Sequence, residues 1–272
     1  MRRAPAPAKL NLALVVGPPG ADGRHQLTTV LQRVDLADRV AVLPADRLEV
    51  DGFAADTLVT GALRALADAA GITPRWRTTL TKRVPVAAGL GGGSSDAATA
   101  LRLANETLPE PLSDTRLAEL AGALGADVPF FLRPGPQLGE GNGDVLSPLA
   151  LPQDFWVVLV LPDGATKPST GAVYEAFDER RGEVGYDERR RTLLKALERV
   201  RRPRDLAALP PNDLASSPLA SLLRDAGAFR ADVTGAGPTV YGLFSRRADA
   251  EAARRRMRPH GRTWITVPAW YG

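Results

Sequence analysis

The sequence predicts a two-domain α+β protein. Three observations carry that expectation. The chain has 272 residues, close to the length at which one hydrophobic core stops growing and a second begins. Its second half reads strand, helix, helix, helix, strand, strand, helix, strand, an α+β order. Two glycine-rich loops, at 85–95 and 235–237, fall in different halves, which places a cleft between them. The boundary is expected just before the apolar run at 155–161, giving an N-terminal domain over 1–150 and a C-terminal domain over 151–272.

Taken in order, residues 8–16 alternate as a strand, with Leu10, Leu12, Leu14 and Val16 on one side. Lys9, Asn11, Ala13 and Val15 lie on the other. Lys9 and Asn11 are then about 6–7 Å apart on one face, two polar groups at the end of an otherwise apolar surface. A turn-rich loop at 17–23 leads to His25, and a second strand is expected over 27–34. Short strands follow at 39–43 and 47–50. Residues 55–70 have helical periodicity ended by Gly71, and 75–84 read as a strand with Trp76, Thr78 and Leu80 on one side. Past the glycine loop, a helix is expected over 96–105, and another from Ser113 or Asp114 to Leu124, closed by Gly125. Residues 132–148 read as loop. In the second half the expected strands are 155–161, 228–233, 239–244 and 262–267. The expected helices there are 170–177, 186–200, 218–226 and 249–257.

The loop at 85–95, Pro85-Val86-Ala87-Ala88-Gly89-Leu90-Gly91-Gly92-Gly93-Ser94-Ser95, stands between a strand and a helix. Glycine permits positive φ and close approach of a ligand. The first N–H groups of a helix have no partner inside it and carry the positive end of its dipole. Such a junction suits phosphate, although a glycine run alone also serves plain turns. Ser94 and Ser95 are the expected N-caps, with Asp96 as a first-turn acid. The loop is not a P-loop, which would end in Gly-Lys-Ser/Thr. Nor is it a dinucleotide fingerprint, since no acid ends a second strand at the right distance. A protein-kinase loop would need its lysine and His-Arg-Asp partners. Asp127, set among Val128, Phe130 and Phe131, reads either as a turn residue or as a carboxylate held at the edge of an apolar site.

Bulk properties narrow the classes. No apolar run of 18 residues is present, so no membrane span is expected. The two N-terminal arginines precede no apolar segment of the signal-peptide kind, and a cytoplasmic protein is expected. Cysteine is absent, which excludes disulfides and thiolate chemistry, and two histidines make a histidine metal site or a serine triad a poor expectation. The net charge is +4. The arginine-rich stretches at 179–204 and 246–262 also contain acids and lack interleaved aromatics, so solvated helix faces are expected rather than a nucleic-acid surface.

These motifs together resemble the GHMP kinase superfamily. They are Pro-Ala-Lys-Leu-Asn-Leu at 7–12, Asp-Gly-Arg-His at 22–25, the loop at 85–95 with Asp-Ala-Ala behind it, Leu-Gly-Ala-Asp-Val-Pro at 124–129, and Thr-Gly-Ala-Gly-Pro-Thr-Val at 234–240. The first and fourth are similar to those of members that phosphorylate a cytidine diphosphate sugar alcohol in isoprenoid precursor synthesis. The resemblance implies a ribosomal-protein-S5-like N-terminal domain and a ferredoxin-like C-terminal domain with the active site between them. It implies ATP as phosphate donor, accompanied by Mg²⁺ with unassigned ligands, and the loop at 85–95 around the ATP phosphates. Asp127 would be the catalytic base and Lys9 the catalytic lysine, while Asn11, His25, Thr170 and Tyr174 would lie at the cytidine diphosphate end. The chain departs from the family at Arg24, where a tyrosine is usual, at Thr57, where an asparagine near adenine is common, and mildly at Val86, Ala87 and Ala88. A guanidinium can also stack on a base.

Overall fold

The computed structural model describes residues 1–53, 58–165 and 169–269. Thr57 lies outside them, as does the start of the helix expected from residue 55. Two sheets organise the chain. The first contains β1 (Arg2–Pro19), β2 (His25–Pro44), β3 (Glu49–Asp51), β4 (Trp76–Thr81), β5 (Gln137–Glu140) and β6 (Val145–Pro148). Its strand order is β3-β4-β2-β5-β6, with β1 also paired to β2. Helices α1 (Leu58–Ala69), α2 (Gly92–Asn105), α3 (Asp114–Leu124) and α4 (Val128–Leu132) pack with this sheet around a core that includes Leu63, Leu66, Trp76, Leu101 and Phe130.

The second sheet is antiparallel, in the order β10-β7-β9-β8. It is formed by β7 (Trp156–Pro162), β8 (Arg230–Val233), β9 (Val240–Phe244) and β10 (Gly261–Thr266). Helices α5 (Thr170–Glu179), α6 (Tyr186–Leu197) and α7 (Pro218–Asp225) lie between β7 and β8, and α8 (Arg247–Met257) lies between β9 and β10. In its own numbering that sheet runs 4-1-3-2, the ferredoxin-like arrangement that the resemblance implies.

Two strand expectations need correction, and one short helix was not foreseen. The strands expected at 27–34 and 39–43 are one strand, β2, because it runs beside β1 for nearly its whole length and the register shift at Pro7/Ala8 absorbs the irregularity between them. The region 132–148 is not all loop. β5 and β6 pair across a turn containing Gly141 and Gly143, both at positive φ, and these glycines mask the short strands in the sequence. Residues 128–132 form a one-turn helix, because Pro129 fits the first turn and Phe130 and Phe131 enter the core. No described helix is long and apolar enough to cross a membrane.

β1 is the strand on which both halves meet. Its residues from Ala6 to Val16 are buried on both faces, so the alternation separates two packed sides. One edge is taken by β2. Along the other, Lys9 N–H donates to Leu90 O (2.9 Å), Tyr241 OH to Leu12 O (3.1 Å) and Asp213 N–H to Leu14 O (2.9 Å). Asn11 N–H donates to Thr234 Oγ1 (3.0 Å) and Val16 N–H to Asp213 Oδ2 (2.9 Å). One core accordingly joins Leu10, Leu12 and Val30 of the first sheet to Val157, Leu159 and Tyr241 of the second, with Phe155 just before β7.

Candidate active site

The glycine loop reaches α2 through three left-handed residues, Ala87 (φ 55°), Gly89 (φ 78°) and Gly91 (φ 68°). A Cβ on Gly89 would stand 2.7 Å from Gly237 O and 2.8 Å from Thr234 O, so the two glycine loops meet backbone to backbone. A Cβ on Gly91 would stand 2.9 Å from Lys9 Cγ and 3.1 Å from the Phe131 ring. The expected start of the helix is corrected here. α2 begins at Gly92, with Gly91 at the N-cap and no side-chain cap. Ser94 and Ser95 lie inside the first turn rather than capping it, and Asp96 lies beyond it. The physical reason is the left-handed N-cap, which only glycine takes without strain. A serine cap would occupy one of the free N–H donors with its own hydroxyl, whereas glycine leaves them for a ligand.

Lys9 and Asn11 meet as the strand spacing suggests. Lys9 Nζ donates to Asn11 Oδ1 (2.7 Å), and Asn11 Nδ2 donates to Thr29 Oγ1 (2.9 Å), whose hydroxyl donates to Ala13 O (2.8 Å). Both side chains are buried. The ammonium also stands 3.5 Å from Asp127 Oδ2. Asp127 occupies the N-cap position of α4 but caps nothing, and its side chain is 42% exposed, with its oxygens facing Lys9 and the open space beyond. Sequence reasoning missed two supports of this group. Asn212 donates through Nδ2 to Val233 O (3.0 Å) and Gly235 O (2.6 Å), which fixes the second glycine loop. Thr234 receives the Asn11 N–H.

At the far end, His25 Nδ1 lies 2.7 Å from Gly17 O, so that nitrogen carries the proton and donates. Its Nε2 faces Asp178 Oδ2 at 3.3 Å. The imidazole stacks on Tyr174 (centroids 4.9 Å apart, 28° between planes), with Phe177 against its edge. Burial, with the Asp127 carboxylate adding to it, pushes the Tyr174 phenol up to about 12, so it stays a neutral donor. Thr170 opens α5, one turn before Tyr174. Arg24 is an exposed side chain next to His25, 3.7 Å from Asp22.

Under the glycine loop lies a charged cluster that the sequence did not reveal. Lys82 Nζ is 2.5 Å from both Asp38 Oδ2 and Asp96 Oδ2. Asp38 Oδ1 also accepts the N–H groups of Arg83 and Val84 (2.5 and 2.8 Å), the residues that lead into the loop. Asp96 Oδ1 is buried without a hydrogen-bond partner. Burial pushes the Asp96 carboxyl up to about 7; Lys82 opposes the rise and Asp38 adds to it. The folded state thus holds a proton between about pH 4 and pH 7 that the unfolded chain releases, and stability falls as pH rises through that window. Asp96→Asn removes this dependence. The variant is expected to gain on the wild type by about 2–3 kcal/mol between pH 5 and pH 8, read as the change in the difference of their Tm values.

One cavity of about 870 Å³ unites these groups. Its walls contain Lys9, Asn11, His25, Asp127, Thr170, Tyr174 and residues 85–94, together with Arg24. Ser95 is not on the wall; it is buried within α2. The second glycine loop contributes Gly235 and Ala236. Among the described residues no three His, Asp or Glu side chains converge as a metal site.

The GHMP kinases N terminal domain matches residues 57–135, and the GHMP kinases C terminal domain matches residues 194–263. A 4-diphosphocytidyl-2-C-methyl-D-erythritol kinase of Anaeromyxobacter sp. (strain Fw109-5) is 39% identical over 265 residues, covering 92% of this chain and 84% of the relative. A crystal structure of 4-(cytidine 5'-diphospho)-2C-methyl-D-erythritol kinase superposes with a TM-score of 0.79 at 32% identity, covering 98% of this chain and all of the other. The mevalonate kinase of Methanococcus jannaschii shares the fold, with a TM-score of 0.76 at 13% identity and 98% of each chain covered. By its motifs, its two matched domains and these full-length similarities, the chain belongs to the GHMP kinases, within the 4-diphosphocytidyl-2-C-methyl-D-erythritol kinase family.

Proposed function

We propose that this protein transfers the γ-phosphoryl group of ATP to the 2-hydroxyl of 4-diphosphocytidyl-2-C-methyl-D-erythritol, in cytoplasmic non-mevalonate isoprenoid precursor synthesis. The observation that carries the site assignment is the Lys9–Asp127 pair at 3.5 Å, set in one cavity between the glycine loop and the His25–Tyr174 stack. Asp127 accepts the proton of the acceptor hydroxyl. The hydroxyl oxygen bonds to the γ-phosphorus as the bond from that phosphorus to the bridging oxygen breaks, and ADP leaves. Lys9, held by Asn11 Oδ1, aims the carboxylate and offers positive charge to the phosphoryl oxygens. Residues 85–94 cradle the ATP phosphates, the open helix N-terminus supplying donors. His25, Thr170 and Tyr174 form the cytidine diphosphate end, with Arg24 in the place of the stacking tyrosine; Asn11, expected there, stands instead beside Lys9. Phosphoryl transfer needs little more of a protein than positioning and charge neutralisation.

Gly89 and Gly91 let the first glycine loop pack directly against the second loop and against Lys9, where a Cβ would collide. Mg²⁺ belongs with the nucleotide in this reading. It would neutralise phosphate charge, and Asp127, the cavity carboxylate beside Lys9, is the side chain that would face it. The division at residue 150 is proposed on the same footing, as the point where the chain passes from the first sheet to the second.

The test is turnover by purified protein with Mg·ATP and each acceptor in turn. ADP is expected with the cytidylyl substrate and not with mevalonate or homoserine. Turnover of either of those, without the cytidylyl compound, overturns the substrate assignment. No turnover of any, with anion binding retained, would place the protein among non-catalytic binding domains.

A further inference from the structure

Arg33 is a buried guanidinium with no carboxylate within 4 Å among the described residues, and its side chain ends against α4. Nη2 donates to Phe130 O (3.0 Å) and to Arg133 O, and the guanidinium carbon lies 5.4 Å from the centre of the Phe130 ring. Nε is buried without a partner. Burial, with Arg102 adding repulsion, lowers its pKa to about 10. An isolated buried cation is a costly thing to keep, and the described contacts of its side chain are these carbonyls and this ring.

Its place in the sheet gives the reason. Arg33 on β2 stands directly opposite Lys9 on β1. Directly opposite residues of an antiparallel pair project to the same face, and like charges there repel. Between these two cations the chain sets α4. Lys9 holds the carboxylate of Asp127 at the helix N-cap, and Arg33 holds the carbonyls at its C-terminal end. Both ends are matched in charge, anion and carbonyl dipoles each to a cation. A helix of five residues has too few internal hydrogen bonds to set its own orientation. Its direction comes from what grips its ends and from Phe130 and Phe131 beneath it.

We infer that Arg33 is a positioning residue for phosphoryl transfer, one that clamps the C-terminal end of α4 so that the Asp127 carboxylate meets Lys9 and the acceptor hydroxyl. The inference rests on the reading of Asp127 as the base. Arg33 is absent from the cavity wall; it acts through the helix.

Arg33→Met keeps the length and apolar stem but removes the donors. With the cytidylyl substrate and Mg·ATP, kcat is expected to fall about 10- to 100-fold, the scale of a misplacement near 1 Å, with both KM values within about twofold of wild type. Arg33→Lys, which retains charge and can reach one carbonyl, is expected to recover part of that kcat. In an Asp127→Asn background, where there is no base left to aim, Arg33→Met is expected to change single-turnover rates by less than about threefold. If Arg33→Met does not fold, Arg33→Lys is read in both backgrounds by the same criteria, with a smaller loss expected. Wild-type kcat in the Arg33 variants, KM values rising in step with the loss of kcat, or an equal loss in the Asp127→Asn background would each overturn the inference. Retained kcat in Asp127→Asn alone would instead overturn the reading of the base, and the two failures are therefore distinguishable.

Discussion

Asp127→Asn is expected to lower kcat by about 10²–10⁴-fold, the usual contribution of a positioned general base, with little change in the KM for ATP. The amide has nearly the same shape, so α4 keeps its place, and Asp127 makes no cap hydrogen bond whose loss would unsettle the helix. What disappears is the proton acceptor and the negative charge facing Lys9 Nζ at 3.5 Å. The partly exposed carboxylate means that folding depends little on it, and Tm should move by no more than a few degrees. Steady-state kinetics beside a thermal melt separates the two effects. A variant that keeps wild-type kcat would remove Asp127 from the chemistry.

The largest stability effect is expected at Asp38, which is wholly buried. Asp38→Ala leaves the Arg83 and Val84 N–H groups without their acceptor and takes one of two carboxylates from Lys82. The buried Val84 donor left unpaired costs about 1–3 kcal/mol and the carboxylate lost from Lys82 adds to it, so a loss of about 3 kcal/mol is expected. In a chain of this size that lowers Tm by at least about 6 °C. Asp38→Asn retains an oxygen that can accept both N–H groups and should recover about half of the loss. Equal losses in the two variants, measured by thermal or urea unfolding, would shift the weight from the backbone of the loop to the charge on Lys82. Because Arg83 and Val84 lead into the glycine loop, the alanine variant should also raise the KM for ATP.

How much of this was legible in the sequence depends on distance along the chain. The alternation at 8–16 marks β1 and puts Lys9 and Asn11 on one face, because a strand's period is local. The α2 boundary was misplaced because Ser94, Ser95 and Asp96 have the composition of a cap, while three glycines have poor helix propensity. The N-cap at Gly91 is decided by a left-handed φ and by crowding against Lys9 and Phe131, which are tertiary facts. The short helix at 128–132 was unreadable for a related reason: Val-Pro-Phe-Phe-Leu is too short to show a period. The pairing of Lys9 with Asp127 came from resemblance to a family and not from spacing. The Asp38–Lys82–Asp96 cluster had no signal at all, since three ordinary charged residues on β2, past β4 and on α2 meet only in the fold. Arg24 stood out only against the family's pattern.

The strand β1 has a temporal consequence as well as a spatial one. Its pairing with β2 requires only residues up to 44, so that ribbon can form while the rest of the chain is still being made. Its other edge is completed by Leu90, Asp213, Thr234 and Tyr241, the last of which lies 229 residues from its partner Leu12. Until those arrive, a long apolar strand presents an open edge, the state in which β-proteins pair with wrong partners. The same contacts that close this edge bring Lys9 to the glycine loop and Asn11 to the second loop. Closing that edge and assembling the site at Lys9 and Asn11 therefore depend on the same contacts.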